Sequence, residues 1–535
     1  MILIIPILLL LFTAGLILVI RFTRPGFPAL WLLAAVGSFL AWLSMAFLRF
    51  RLPSSFTLLN WGRADIFSSS PTLVLDYSSW PYAFALISLV FCIVLVSPGH
   101  LRLRSEVINL SGSLSLGGLS LLAVFAANPT TLLLGWAAMD LVELSIFTRI
   151  SGDNVKLEHT MQVYATRIAG LILGFWAFVL GSREVGFNTS FDNLSPQVGL
   201  FLLISIGLRV GVFPLHLPFI VEASIRRGQG TLLRMAPAAS ALVVLSRLPS
   251  STISPPVDTW LSILAVIALI YAAFRWFLEK DDLYSRPFLL ISLSAFAIIS
   301  VLIRSPFQSI SWGVSLIFLG SILFLLDSYS PLMMGLAFLG GVGFSGLPFT
   351  ANASGLSVLA SSGNPLWILV GGISFILILL GLIQKILDKP RLQPNQEQII
   401  YLTYPVAMII LVFGYILTGL FGWPGSRLIG AWYYSLPIIL IAAGVWIWNY
   451  KTGWMNHFLE KIRIKPQAEE KSSQPGVLRR IFNLEWIFAF FRYLFQVIGR
   501  IVNFLDGLLE GTGGFLWAAL VFVLFLAILQ IGTSP

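Results

Sequence analysis

Runs of about 20 predominantly apolar residues recur from one end of this chain to the other. That recurrence leaves few folds open. Such a run matches the roughly 30 Å hydrocarbon core of a bilayer, and in lipid the backbone must satisfy its own hydrogen bonds, as a helix does. Sixteen candidate spans begin near residues 2, 29, 81, 107, 130, 160, 198, 231, 259, 287, 309, 331, 365, 403, 428 and 514. The expectation is an all-α polytopic membrane protein of about 16 transmembrane helices. Composition agrees: 10% of the 535 residues are charged, against roughly 25% in a soluble domain. The first run, MILIIPILLLLFTAGLILVIRFTR, has no basic leader region and no small-residue cleavage site, so it reads as a retained span.

The same composition excludes several functions. A net charge of +10 suggests nucleic acid only until its distribution is seen. The excess lies in short loops and the C-terminal arm, where basic residues face cytoplasm and lipid headgroups, so no nucleic-acid partner is expected. The single cysteine, Cys92, sits in an apolar run. Disulfides, Cys-ligated zinc and iron–sulfur clusters held by this chain alone are thereby excluded. The four histidines (His100, His159, His216, His457) do not pair on one helix face, which argues against haem held between them. No glycine fingerprint for a dinucleotide opens a helix after a strand. No metal, no cofactor and no catalytic residue are expected, and any redox chemistry belongs to partner chains.

Two spans are interrupted. In Gly207–Phe219, GLRVGVFPLHLPF, Pro214 and Pro218 flank His216. A proline inside a helix removes a donor and clashes with the preceding turn, and lipid tolerates the freed carbonyls only beside protein or a water-filled cavity. Gly341–Phe349, GVGFSGLPF, matches GVFPLHLPF of Gly211–Phe219 at five of nine positions and carries Gly346 and Pro348. Paired interruptions in corresponding places point to internal repeats built around a binding or transport path. Gly228, Gly230 and Pro237 suggest a further interruption near residue 231.

Ionisable residues inside spans are functional candidates by default. On the fifth span Asp140 and Glu143 lie three apart, so they share a helix face. Arg167 on the sixth span and Arg209 on the seventh are possible partners. The residues leave two readings open, a structural ion-pair cluster and a proton relay. Arginine tunes a neighbouring carboxylate but does not release its own proton; His216 titrates near neutrality when solvated. Asp76, just ahead of the third span, reads as a helix cap. Spans eleven to thirteen are almost uncharged.

Loops after odd-numbered spans carry Arg21/Arg24, Arg102/Arg104, Arg149/Lys156, Arg226/Arg227, Lys280/Arg286 and Lys385/Lys389/Arg391, roughly twice the basic residues of the others. The positive-inside rule therefore puts the N-terminus outside. Beyond Trp454 a polar linker, KPQAEEKSSQPG, leads into Val477–Glu510, where charged residues alternate with Phe, Leu and Trp at helical spacing. This is the pattern of an amphipathic helix lying laterally on the membrane or its neighbours.

Taken together, these motifs resemble the antiporter-like family: the proton-pumping membrane subunits of respiratory complex I and related membrane-bound hydrogenases, and the large subunits of Mrp-type cation/proton antiporters. LVLDYSS with Asp76 resembles the family's DGLS-like segment, LLLGWAAMDL its GWE segment, and ATRIAG its TRVGD. Gly207–His216 resembles GKSAQFPLH, GQGTLLRMAPAAS resembles GPTPVSALLHAAT, GFSGLPFT of Gly343–Thr350 resembles AGLPPF, and LLEGTGGFLW resembles the C-terminal arm. The resemblance implies two inverted five-helix repeats with broken helices and a C-terminal lateral helix. It divides the chain into N-terminal spans and external loop (1–106), first repeat (107–248), second repeat (249–390), additional spans (391–453), linker and lateral helix (454–513) and a final span (514–535).

The departures bear on function. The family's fifth-span glutamate falls on Ala137, leaving Asp140 as the substitute, and its seventh-span lysine is Arg209. Its eighth-span histidine falls on Pro237, and its eleventh-span histidine and lysine fall near Ile310 and Val314. Arg167 is kept, but the aspartate after it is Gly170. Two readings follow for a membrane-arm subunit of a complex-I-like (NADH:quinone oxidoreductase-type) or Mrp-like assembly. In one, protons or monovalent cations move along a rerouted path through Asp140, Glu143, Arg167, Arg209 and His216. In the other, the chain is a non-conducting scaffold among other membrane subunits. A third reading, the membrane subunit of an inorganic-carbon uptake complex, would be marked by a zinc-binding partner. The implied location is a prokaryotic plasma membrane.

Overall fold

The apolar runs form helices in the computed structural model, which describes residues 2–24, 27, 29–58, 70–97, 104–150, 154–185, 191, 194–217, 227–250, 257–325, 330–387, 398–426, 432–452, 493 and 500. The N-terminal part contains α1 (Ile5–Thr23), α2 (Leu30–Leu48), β1 (Ser54–Thr57), β2 (Thr72–Leu75), α3 (Ser79–Val96), α4 (Arg104–Val124), α5 (Pro129–Ile150), α6 (Asn154–Val185), α7 (Pro196–Val210) and α8 (Arg227–Leu245). It continues with α9 (Val257–Leu278), α10 (Asp282–Leu302), α11 (Ser309–Leu325), α12 (Pro331–Phe344), α13 (Ala353–Ser361), α14 (Pro365–Leu387), α15 (Gln398–Phe421) and α16 (Trp432–Thr452). The chain divides into two units, Met1–Pro466 and Gln467–Pro535. The second unit contributes two described residues, Tyr493 and Arg500, both helical. The expected lateral helix and final span therefore lie outside the described residues.

Twelve described helices are long and apolar enough to cross a membrane. The protein is thus an all-α, multi-pass membrane chain. Fifteen of the sixteen expected spans coincide with helices. The twelfth is divided into α12 and α13.

Helices that are apolar on every face sit inside. α3, α10 and α11 are buried almost throughout, and α3 packs against α2, α4, α8, α11 and α15. Outer helices bury one stripe. α1 buries Ile7, Leu10, Ala14 and Ile17 at helical spacing, against α2 and α4, and leaves Leu8, Phe12, Val19 and Phe22 exposed. Apolar residues on both stripe and outer face suit a bundle whose solvent is lipid.

The connection between α2 and α3 contains an antiparallel hairpin, with Ser54 opposite Leu75 and Thr57 opposite Thr72. Its inner strand also pairs with the α4–α5 turn, through Val74 N–H to Phe125 O at 2.7 Å and Ala127 N–H to Thr72 O at 2.9 Å. Four-residue strands carry little periodic signal, so the sequence reads only as a long loop. Asp76 follows the hairpin. Its Oδ1 accepts from the backbone N–H of Ser79 at 2.7 Å and Ser78 at 3.0 Å, capping α3. Its Oδ2 lies 3.4 Å from Arg247, whose guanidinium also donates to Ala126 O. The Asp76–Arg247 pair thus ties together the hairpin, the head of α3, the α4–α5 turn and the end of α8.

Burial works against ionising Asp76, but Arg247 and the donors on Ser78 and Ser79 outweigh it and hold its pKa below the ordinary 3.8. A depressed carboxylate stabilises the fold above its unfolded pKa, and that stability is lost as pH falls through the lower folded value. Asp76→Asn should therefore lower the melting temperature by a constant amount above about pH 4, with the gap to wild type closing only below that. Melting curves of both proteins in detergent from pH 7 to pH 3 check this. A gap that varies between pH 5 and 7 would exclude Asp76 as its source.

Candidate functional site

α7 is capped where its sequence stops being helical. Gly211 adopts left-handed backbone (φ +82°), a conformation that costs glycine little. The chain then folds back, and the N–H groups of Val212 and Phe213 donate to Gly207 O at 2.8 and 3.1 Å. The Phe213 ring lies where a Cβ at position 207 would be, so Gly207 makes this return possible. Pro214 is in the turn, and its carbonyl is 2.7 Å from His216 Nδ1. His216 is buried, and its Nε2 has no hydrogen-bond partner among the described residues. Pro218 lies outside the described residues.

The second interruption is real but shifted. α12 ends at Phe344, four residues beyond the point aligned with the end of α7. Its left-handed glycine is Gly346 (φ +76°), aligned with His216 rather than with Gly211. Pro348 is in the same break. Asn352 bridges it, donating to Phe344 O at 3.3 Å while its Oδ1 accepts from Ser315 at 3.1 Å. Tyr415 in turn donates to Ser315 at 2.7 Å.

The third expected interruption does not occur. Pro237 lies inside α8, which runs unbroken from Arg227 to Leu245. From Gln229 onward every residue of this helix is buried, and the surrounding helices hold the backbone that the proline leaves one donor short.

Asp140 and Glu143, one turn apart on α5, are 3% and 1% exposed. Arg209, from the last turn of α7, grips Asp140 with both ends of its guanidinium: Nη1–Oδ2 and Nη2–Oδ1 are each 2.8 Å. Arg209 also donates to Arg167 O at 3.3 Å, and its guanidinium lies 4.4 Å from the centre of the Trp136 ring. Arg167, from α6, pairs with Glu143 and lies 3.8 Å from Asp140. Two carboxylates thus meet two guanidiniums in a buried, charge-balanced cluster. The geometry brings together Asp140, Glu143, Arg167 and Arg209.

Two residues that sequence reasoning did not place in the site shape it. Trp136 presents its ring to Arg209 while its indole N–H donates to Ser240 at 3.1 Å. Gly170 lies against the Arg209 stem: a Cβ there would come 2.7 Å from Arg209 Cγ. Gly170 thus leaves room for the Arg209 stem, whose Cγ and Cδ a side chain at 170 would meet.

Further cations lie inside the bundle. Arg234 donates to Gly230 O at 2.8 Å. Lys385 is buried on α14 rather than in a loop, and donates to Trp276 O and Glu279 O, each at 2.8 Å, at the end of α9. Arg286 also departs from the loop reading. α10 begins at Asp282 with Asp281 as its cap, which carries Arg286 one turn inward to 1% exposure. The signal was present: an aspartate ahead of an apolar run marks a helix start.

Around the second break the eleventh-span positions Ile310 and Val314 are buried and apolar. Between them Trp312 stacks on Phe296 at 4.3 Å, with Phe375 at 6.1 Å and Phe344 4.9 Å beyond Phe375.

The chain is similar to solved structures of membrane complexes. It aligns over its whole length with a chain of the Mrp complex from Dietzia sp. DQ12-45-1b, at TM-score 0.71 and 13% identity, and spans 63% of that chain. It aligns over 98% of its length with 99% of a chain of the membrane-bound sulfane sulfur reductase, an archaeal respiratory membrane complex, at TM-score 0.65 and 14% identity. No family model matches the sequence, and no curated protein does. The chain thus shares the fold of membrane subunits in these two complexes.

Removing one partner of a buried ion pair strands the other charge, at a cost of about 3–5 kcal/mol. Asp140→Leu and Arg209→Met should each destabilise by about that much, and the double variant should recover most of the loss. Chemical denaturation of the four proteins in detergent gives the coupling energy. Additive losses would mean that the pair does not act as a unit. Gly170→Ala should destabilise as well, by displacing Arg209.

Proposed function

We propose that this chain is a membrane-arm subunit of a complex-I-like or Mrp-like assembly, keeping the antiporter-like fold as scaffold without passing protons through its own midplane. The observation that carries this reading is the Asp140–Arg209 pair. A proton carrier must alternate between charged and neutral forms, and an arginine side chain does not hand on its proton as a lysine can. Protonating Asp140 would strand a buried guanidinium beside Arg167, which opposes the step a relay needs.

The second repeat supports the same reading. Around its break stand the stacked rings of Phe296 and Trp312 with Phe375 edge-on to both, and apolar Ile310 and Val314 occupy the positions where the resemblance places titratable residues. The inverted repeats, the N-terminus outside and a prokaryotic plasma membrane belong to this proposal, as do neighbouring membrane subunits held by the lateral helix of residues 477–510. The rerouted path through Asp140, Glu143, Arg167, Arg209 and His216 is the competing reading. His216, buried with a bare Nε2, favours it at that one position.

Two experiments test the proposal. In membrane vesicles containing the assembled complex, the Asp140→Leu/Arg209→Met double variant should translocate the same number of ions per turnover as wild type. Loss of translocation with assembly intact would establish a carrier role and sink the scaffold reading. Truncation after residue 476 should release the neighbouring subunits during mild-detergent purification, and a truncated chain that keeps all of them would refute the strap.

A further inference from the structure

We infer that Arg286 anchors an oxyanion site where α8 and α10 begin, taking a phosphate-type group from either an anionic lipid headgroup or a free anion. Among the described residues this guanidinium is 1% exposed, and its Nε and Nη2 have no hydrogen-bond partner. Its described favourable contact is the Phe324 ring, 5.3 Å from its centre. A ring face attracts the charge but does not replace acceptors for fixed N–H donors.

Among the described residues, the acids whose fields reach Arg286 are Asp282 and Asp281. Both are engaged. Asp282 pairs with Arg227 at 2.6 Å across the heads of α10 and α8, and Asp281 accepts from Leu283 N–H as the cap of α10. Arg234 and Arg227 add positive charge around Arg286. The helices of 19 and 21 residues that start here direct the positive ends of their dipoles to the same place. Unmet donors, like charges and helix N-termini together describe a site that lacks one negative acceptor group. A phosphate oxygen pair matches the planar fork of arginine, and basic pockets between transmembrane helices are suited to phospholipid headgroups.

The test uses the full chain, delipidated in neutral detergent, with thermal unfolding followed at constant ionic strength. The additions are phosphatidylcholine, phosphatidylglycerol or inorganic phosphate. Without additions Arg286→Met should melt at or above wild type, because it removes an unpaired buried charge and keeps the volume. Phosphatidylglycerol or phosphate should raise the wild-type melting temperature by several degrees and leave Arg286→Met unmoved. A response to phosphatidylglycerol alone identifies a lipid headgroup, and a response to phosphate identifies a free anion. Equal responses of the two proteins, no response of wild type, or an Arg286→Met protein that is less stable in every condition or fails to fold would each overturn the site.

Discussion

Charge has to be balanced locally in a membrane interior, and the arrangement around Asp140 follows from that requirement. A carboxylate on the fifth helix is tolerable in lipid only beside a cation. Arg209 supplies one with two parallel hydrogen bonds, the geometry in which a guanidinium binds a carboxylate best. Glu143, one turn along, needs a second cation, and Arg167 supplies it. Both cations are arginines, which do not hand on a proton as lysine can, so on the scaffold reading the four groups keep one charge state. The packing serves this state: Trp136 lies against the guanidinium, and Gly170 yields the volume that its stem occupies.

The two broken helices are not equivalent. At the first, Gly211 ends α7 one residue after Val210, and the returning chain lies over Gly207, leaving a buried histidine in the turn. At the second, the helix gains a turn and its left-handed glycine comes later. The break is spanned by neutral groups, Asn352, Ser315 and Tyr415. The adjoining core is aromatic. A buried ion-pair cluster beside one break and only neutral groups across the other is a poor design for continuous proton passage, and a reasonable one for a part whose task is to hold shape between neighbours.

Much of this was legible in the sequence, for stated reasons. Twenty-residue apolar runs gave the helices, because lipid leaves the backbone few alternatives. The interruption at Gly207–His216 was visible because proline and glycine constrain the backbone directly. Asp140, Glu143, Arg167 and Arg209 stood out because charge is rare in such runs, but their pairing was left open, since spacing on one helix does not fix which neighbour faces it. Pro237 misled because a proline breaks a helix only where nothing else supports the backbone, and α8 is enclosed. Sequence alone groups Arg286 and Lys385 with the loops, because basic residues near span ends look alike whether they face water or turn inward. The hairpin before α3 went unseen, its strands too short to show alternation.

The account rests on Asp140 keeping its charge while the surrounding complex works. The most direct measurement is infrared difference spectroscopy of the assembled complex in membranes, resting against turning over, compared between wild type and Asp140→Asn. The account predicts no protonated-carboxyl band in wild type that the substitution removes. A band that appears during turnover and vanishes in Asp140→Asn would mean that Asp140 takes up a proton, and would contradict the lock on which this reading depends.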